Sequence, residues 1–385
     1  MTEVDSMDMT RRELLAASAL LLVQPGTALP RNGQARATLA AAANAPAGAS
    51  PMILCWNENP YGPSPAARAA ISAAVSQGCR YPDDDLPKLV GLLAKKEGVA
   101  PDRIVTGTGS GELLRALGML CGHGGGEIVA AQPTYAELTE YATGAGATLK
   151  WVPVDKELRH DLAAMRAAVS DKTRGVYVCN PNNPTGTVVS AAAIEDFARS
   201  MPDHVTTIVD EAYLDFVAAP DVRSVANLTA GNKRVVVLRT FSKIHGMAGV
   251  RCGYAIARAD VAAEISKVRM TTPNVFAVQG ACASLGDHAF LADCRRRIVT
   301  SRSRITSELR ALKFAYAEPQ GNFVFFDTGV PLKRFTEFMR KRNILVGRRF
   351  PPYENWCRIT IGTEPEVDAF LEGLRAFRSS GESKA

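Results

Sequence analysis

Residues 240–254 read TFSKIHGMAGVRCGY, and they follow an apolar, β-branched run, Arg234 to Leu238 (RVVVL), whose composition predicts a buried strand. One loop therefore gathers hydroxyls, a lysine, three glycines and an arginine at the mouth of that strand. A lysine so placed can form a Schiff base with a carbonyl cofactor. The arginine eight residues further on can grip a phosphate, and the glycines let backbone come close. Standing alone, the same loop also reads as an exposed Lys and Arg on a glycine-rich turn. The decision rests on the partners supplied by the rest of the chain.

Upstream, Thr206 to Asp210 predicts another apolar strand, ending in Asp210-Glu211-Ala212-Tyr213. A carboxylate at a buried strand end is costly without a cation, so Asp210 calls for one. A protonated pyridine nitrogen is such a cation, and pairing with it keeps the ring an electron sink. Capping of a following helix is the competing reading of Asp210. Lysine, phosphate grip and pyridine partner together point to pyridoxal 5'-phosphate on Lys243, with Tyr213 close enough in sequence to reach the ring's phenolic oxygen.

The same arrangement recurs along the chain. Arg174 to Cys179 predicts a strand that empties into Asn180-Pro181-Asn182-Asn183-Pro184-Thr185-Gly186, a rigid turn whose amides, Asn183 among them, can donate to a ligand oxygen. Glu127 to Ala131 predicts a strand leading to Tyr135, which reads either as a stacking partner for a flat ring or as a core tyrosine. Arg103 to Thr106 leads through Gly107-Thr108-Gly109-Ser110-Gly111-Glu112 into a helix carrying Leu113, Leu114, Leu117 and Leu120. Strand, glycine loop and helix N-terminus form an anion site, although many such loops are plain turns. With a strand at Thr148–Val154 and helices at Asp161–Val169 and Ala191–Arg199, the alternation predicts an α/β fold: a mostly parallel central sheet with helices on both faces. Ligand groups then belong at the carboxyl ends of the strands.

Beyond Tyr254 the pattern continues with a strand over Cys252–Ile256 and helices over Asp260–Met270 and His288–Leu312. A smaller α+β C-terminal domain follows, with Asn322–Phe326, a helix over Leu332–Arg342, a strand ending at Val346, and Trp356–Ile361. Arg348 and Arg358 sit beside or within apolar strands, where each needs an anion: a substrate carboxylate or an internal salt bridge. The expected division is a leader over 1–50, an arm and first helix over 51–75, a large cofactor-binding domain over 76–275 and a small domain over 276–385.

A formal charge of +6 spread over 385 residues argues against a nucleic-acid partner, and the densest basic run, Arg295 to Arg297, reads as a solvated helix face. The eight cysteines show no C-x-x-C and no short histidine spacing, so neither a metal site nor a disulfide framework is signalled, though pairs stay open. Arg11-Arg12 opens an apolar stretch to Val23 that is too short for stable membrane insertion and resembles a twin-arginine export signal, with Ala35-Arg36-Ala37 as a cleavage pattern. Periplasmic location is expected on that reading; an amphipathic or extended N-terminus on a cytoplasmic protein is the other. Trp56 to Pro63 predicts an extended arm, with Tyr61 able to reach a ligand or a neighbouring subunit.

Read in order, NENPYG, GTGSGE, PTY, NPNNPTG, DEAY, TFSK with its downstream arginine, and RITIG resemble the fold-type-I pyridoxal-phosphate aminotransferases of class I/II. The histidinol-phosphate aminotransferase branch is the most similar, over about Cys55 to Phe377. The resemblance implies that Lys243 carries the cofactor and shuttles the proton, that Asp210 pairs the pyridine nitrogen, that Tyr213 and Asn183 bond the ring oxygen, and that Tyr135 stacks on the ring. It implies that Ser110, Gly111, Ser242 and Arg251, in loops that include Glu112, hold the phosphate, with Tyr61 reaching it from the second subunit of a homodimer. Arg358 would anchor the substrate's acidic group, with Arg348 and Asn322 nearby. The expected partners are an amino donor and a 2-oxo acid acceptor used by a ping-pong mechanism. A decarboxylase on the same fold and a non-catalytic cofactor-binding module are the alternatives. Three features depart from the family: Gly111 stands where relatives often carry an acid, RRFPPYENW is more basic and aromatic than usual, and the leader is unexpected for an enzyme of a cytosolic intermediate.

Overall fold

The structure, a computed structural model, describes residues 50–381; the expected leader lies outside them. The chain runs through β1 (Met52–Leu54), α1 (Pro65–Ala73), α2 (Leu86–Glu97), β2 (Ile104–Gly107), α3 (Ser110–Gly122), β3 (Glu127–Gln132) and α4 (Glu137–Gly144). It continues through β4 (Thr148–Pro153), α5 (Leu162–Ala167), β5 (Thr173–Cys179), α6 (Ala191–Arg199), β6 (Thr206–Asp210), β7 (Val235–Thr240), β8 (Gly253–Ala257) and α7 (Ala259–Val268). Strands β2 to β8 form one sheet in the order β2-β8-β7-β6-β5-β3-β4, parallel except that β8 runs antiparallel to both neighbours.

The central strands are apolar throughout because both faces of the sheet are covered. Side chains of β7 alternate between them: Val235 and Val237 join one core cluster with Val176, Val178 and Val209, whereas Val236 and Leu238 join the other with Ile208 and Ala130. Two of the helices on these faces start on side-chain caps: the Asp161 carboxylate accepts from the Ala164 amide at α5, and the Ser190 hydroxyl accepts from the Ala193 amide at α6. Helix α3 starts on a glycine. Its N-cap is Gly109, at φ +88°, and no side chain caps it.

The second lobe follows α8 (Val275–Gly286) and contains α9 (His288–Ala311), β9 (Phe323–Asp327), α10 (Leu332–Arg340), β10 (Ile344–Val346), β11 (Trp356–Thr360) and α11 (Glu364–Ser379). Its core is rich in aromatics, with Phe326, Phe335, Phe338, Phe370 and Phe377 packed together. Helix α8 was absent from the sequence expectation because VFAVQGACASLG is apolar on nearly every side and shows no 3.6-residue polar stripe. It packs on α1 and α2, and Ala277, Val278 and Ala281 belong to the core of the large sheet. The expected boundary at 275/276 thus falls at the start of a helix that packs with the large sheet.

Strand β1 pairs in parallel with β10, from Met52 opposite Ile344 to Leu54 opposite Val346, so the first strand of the described chain is built into the C-terminal lobe. All eight cysteines are free. Among the described residues no helix is long and apolar enough to cross a membrane, and no side-chain cluster has the make-up of a metal site.

Candidate active site

Five loops leave the same edge of the sheet, and each brings a polar group to it: Ser110 after β2, Tyr135 after β3, Asn183 after β5, Asp210 at the end of β6 and Lys243 after β7. Lys243 lies at the centre. Its Nζ donates to the Asn57 carbonyl at 3.0 Å and stands 5.3 Å from the centre of the Tyr213 ring. Burial, reinforced by the positive charge of Arg358, pushes its ammonium down to about 8.

Tyr213 is buried, and its hydroxyl accepts from Asn57 Nδ2 at 3.1 Å and Asn183 Nδ2 at 3.5 Å. Asn183 Oδ1 in turn accepts from Arg358 Nη1 at 2.6 Å, while Arg358 Nη2 donates to the Cys55 carbonyl at 2.6 Å. Arg358 is 6% exposed, has no carboxylate partner within ion-pair distance among the described residues, and keeps a buried Nε without an acceptor. Desolvation lowers its guanidinium to about 10. Asn322, fully buried, donates through Nδ2 to the carbonyls of Asn57 and Glu58 at 3.1 Å each, and its Oδ1 receives nothing.

Asp210 lies at the floor, 3% exposed. It accepts from the Ala212 amide at 3.0 Å and from the Tyr177 hydroxyl at 3.1 Å, and no cation pairs with it among the described residues. Burial raises its carboxyl to about 6, against the opposing pull of those hydrogen bonds. Behind it, Arg239 of β7 bridges Glu211 at 3.1 Å and Asp215 at 3.3 Å, and this clamps the 210–215 turn to the strand that leads to Lys243.

On the other side, the uncapped start of α3 faces Arg251. A Cβ at Gly109 would collide with the Arg251 guanidinium, so glycine is what lets the two meet. Arg251 donates to the carbonyls of Ala248 and Thr108, at 2.9 and 3.3 Å, and to Ser242 Oγ at 3.5 Å, and no carboxylate pairs with it among the described residues. Free amides, a helix dipole and an unneutralised guanidinium form an anion cradle. Glu112 does not face that cradle: its Oε2 accepts from the Thr108 amide and hydroxyl at 2.6 and 2.9 Å and its Oε1 from the Thr271 amide at 2.7 Å. A carboxylate spent in this way braces the loop.

Arg348, Tyr61 and Tyr135 make no hydrogen bond to the Lys243 cluster among the described residues, although Tyr135 lies near enough to Tyr213 and Asp210 for their charges to act on its phenol. Arg348 is exposed, its guanidinium 4.8 Å from the centre of the Phe350 ring that Arg358 also approaches at 5.0 Å. Tyr61 packs on the second lobe under the Arg297 guanidinium, and among the described residues its buried hydroxyl makes no hydrogen bond of good geometry. Tyr135 donates to Glu137. Two residues of the cluster had no assigned role in the sequence, Asn57 and Tyr177. Asn57 is a buried non-glycine residue at φ +55°, a conformation the sequence does not announce, and Tyr177 reads there only as one aromatic in a buried strand.

Residues 49–374 match the model of the family described as aminotransferase class I and II. The chain is 37% identical over 325 residues to the histidinol-phosphate aminotransferase of Moorella thermoacetica, covering 84% of each. It is 38% identical over 326 residues to the aromatic amino acid aminotransferase of Mycobacteroides abscessus, covering 84% of this chain and 92% of that one. In three dimensions it is similar to the histidinol-phosphate aminotransferase of Sinorhizobium meliloti, solved in complex with pyridoxal 5'-phosphate, with a TM-score of 0.83 and 26% identity over 97% of this chain and 100% of that one.

Proposed function

The chain belongs to the class I and II aminotransferases, and from that premise we propose that Lys243, Asp210 and Tyr213 are the centre of a pyridoxal-phosphate-dependent transaminase for aromatic or imidazole-bearing amino donors. The residues present fit the cofactor: a buried carboxylate without a cation at Asp210, and an anion cradle of α3 amides, Ser242 and Arg251 without a carboxylate. When bound, pyridoxal 5'-phosphate supplies an aldehyde that links covalently to amines and a ring that spreads the negative charge left by a departing α-proton.

The chain's own groups do the rest. At the Nζ of Lys243 a proton is held loosely, because burial disfavours the ammonium; the neutral amine can take a proton from carbon and return it. Asp210 offers its carboxylate from a floor fixed by Tyr177 and the Ala212 amide. Asn183 and Asn57 hold the Tyr213 hydroxyl in place, and burial keeps that phenol protonated, so it donates rather than ionises. Arg358 receives the substrate carboxylate through donors held in a dry wall, and Asn322 Oδ1 remains available to a donor on the substrate.

One observation carries the reading: a buried arginine without an anion and a buried carboxylate without a cation flank the same lysine. Structural ion pairs would have neutralised both. The test is a spectrophotometric titration of the purified protein with glutamate, phenylalanine, tyrosine and histidinol phosphate, each followed by a 2-oxo acid. Loss of the cofactor's lysine-bound absorbance with a donor, recovery with the acceptor, and no response in Lys243→Ala are expected. No response to any donor would overturn it.

The same reading extends to assembly and location. Tyr61, whose buried hydroxyl makes no hydrogen bond of good geometry among the described residues, is assigned to the phosphate of a second subunit in a homodimer, which a light-scattering mass of one chain would refute. The Arg11-Arg12 segment is assigned to twin-arginine export to the periplasm; unchanged fractionation of a variant with both arginines replaced by lysine would refute that.

A further inference from the structure

Glu137 opens α4, two residues beyond Tyr135, and it has no part in the assignments above. Its Oε2 accepts from the Tyr135 hydroxyl at 2.6 Å, and its Oε1 accepts from Arg115 Nε of α3 at 2.6 Å. The Arg115 guanidinium is itself laid against the Tyr141 ring, 5.1 Å from its centre, so the carboxylate is held from a fixed direction. The space it fills exists because residue 111 is glycine: a Cβ there would lie 2.7 Å from Glu137 Oε2. A side chain at position 111 would therefore crowd the carboxylate that the tyrosine uses and require it to shift.

We propose that Glu137 is a positioning residue for the cofactor ring, fixing the Tyr135 ring plane through its hydroxyl, and that Gly111 serves to admit it. The inference rests on the assignment of Tyr135 as the stacking residue. The hydroxyl oxygen lies on the χ2 axis, so the hydrogen bond pins the far end of the ring and fixes χ1; because a phenol O–H prefers to lie in the plane of its ring, the direction of Glu137 Oε2 also sets that plane, which is what a stacking platform needs. Burial, with the Glu137 charge acting the same way, holds the phenol well above its ordinary range, so the hydroxyl remains a donor.

The test measures the dissociation constant of pyridoxal 5'-phosphate from the apoprotein and the visible circular dichroism of the bound cofactor. The variants are Glu137→Ala, Glu137→Gln, Tyr135→Phe, Tyr135→Leu and the Glu137→Ala/Tyr135→Phe pair. Glu137→Ala and Tyr135→Phe should each weaken binding about tenfold, the value of one hydrogen bond to a charged group, and reduce the dichroism; the pair should lose no more than either alone. Glu137→Gln keeps a neutral acceptor for the hydroxyl but not the charge opposite Arg115, so it should stay within about threefold of the parent and bind more tightly than Glu137→Ala. If the carboxylate only ties α3 to α4 through Arg115, Glu137→Gln will fall with Glu137→Ala, and the proposal is overturned. Losses that multiply in the pair, to about a hundredfold, overturn it as well. Should Glu137→Ala fail to fold, Tyr135→Phe removes the same hydrogen bond from its other side and must itself show the tenfold loss; parental binding and dichroism in Tyr135→Phe then overturn the proposal. Tyr135→Leu separates the two layers: parental binding and dichroism there refute the stacking assignment itself, whereas a loss there with parental Glu137→Ala refutes the proposal alone.

Discussion

Replacing Asp210 by asparagine should make the cofactor-free protein more stable at pH 8, and less stable at low pH. The carboxyl moves from its ordinary 3.8 to about 6 on folding, mainly through burial. At about 1.4 kcal/mol for each tenfold change in proton affinity, that difference amounts to about 3 kcal/mol. The sign follows from proton counting. Below pH 3.8 both states hold the proton and nothing is lost; between 3.8 and about 6 only the folded state holds it, so stability falls as pH rises; above about 6 the full cost is present. Asparagine avoids this cost. It keeps an oxygen for the Ala212 amide at 3.0 Å but puts an NH2 group against the Tyr177 hydroxyl, which loses its acceptor for about 1 kcal/mol. The net change at pH 8 is a gain of about 2 kcal/mol, turning to a loss of about 1 kcal/mol at pH 4. Urea titrations of the two apoproteins at pH 4, 6 and 8 measure it, and contributions of all other groups cancel in the difference. A destabilised variant at pH 8, or a difference that does not vary with pH, would refute the account of Asp210 as a carboxylate held at a cost for a cation yet to arrive. With cofactor bound the order should invert, since only aspartate can pair with a protonated ring nitrogen.

Further outcomes follow from the same geometry. In the apoprotein the Lys243 amine should acylate with a pH midpoint near 8, its neutral fraction growing as pH rises through that value; mass-spectrometric labelling that places the midpoint near 10 would remove the basis for its proton shuttling. Arg358→Lys should lower kcat/KM for an amino acid donor by about 10- to 100-fold, chiefly through KM, with cofactor affinity within about twofold, because an ammonium cannot reproduce the fork that reaches Asn183 and the Cys55 carbonyl. Gly253→Ala places a carbon against the Ser110 nitrogen at the head of α3; it should cost about 1–3 kcal/mol by denaturant midpoint and weaken phosphate binding in parallel.

Most strands of the large lobe are legible because their patterns are local, as in the apolar, β-branched runs of β5, β6 and β7. Polar residues just past those strands marked the site, since a buried strand end gives an aspartate or lysine few other uses. What escaped had no local signal. Helix α8 is buried nearly all round, β1 has three residues, and the left-handed turn at Asn57 is imposed by contacts with Thr360 and Tyr213 distant in the chain. Glu112 was grouped with the phosphate loop because sequence gives its position, while the direction of its side chain, toward Thr108 and Thr271, is decided by tertiary packing. Glu137 was missed for the converse reason: its relation to Gly111 spans two helices.

The pairing of β1 with β10 also sets a schedule. Asn57, which holds both Lys243 and Tyr213, is bonded through its amide to Thr360, 303 positions later. As the chain leaves the ribosome, the sheet and its five loops can close on local contacts, but the arm has no partner until the last lobe is made. Substrate-side geometry is thus the final thing to form, and a nascent chain stopped before residue 344 carries a cofactor shelf with an open wall. A chain cut before β10 and β11 would therefore keep the sheet's polar loops but lose the strand that fixes Asn57, and with it the hold on Lys243 and Tyr213.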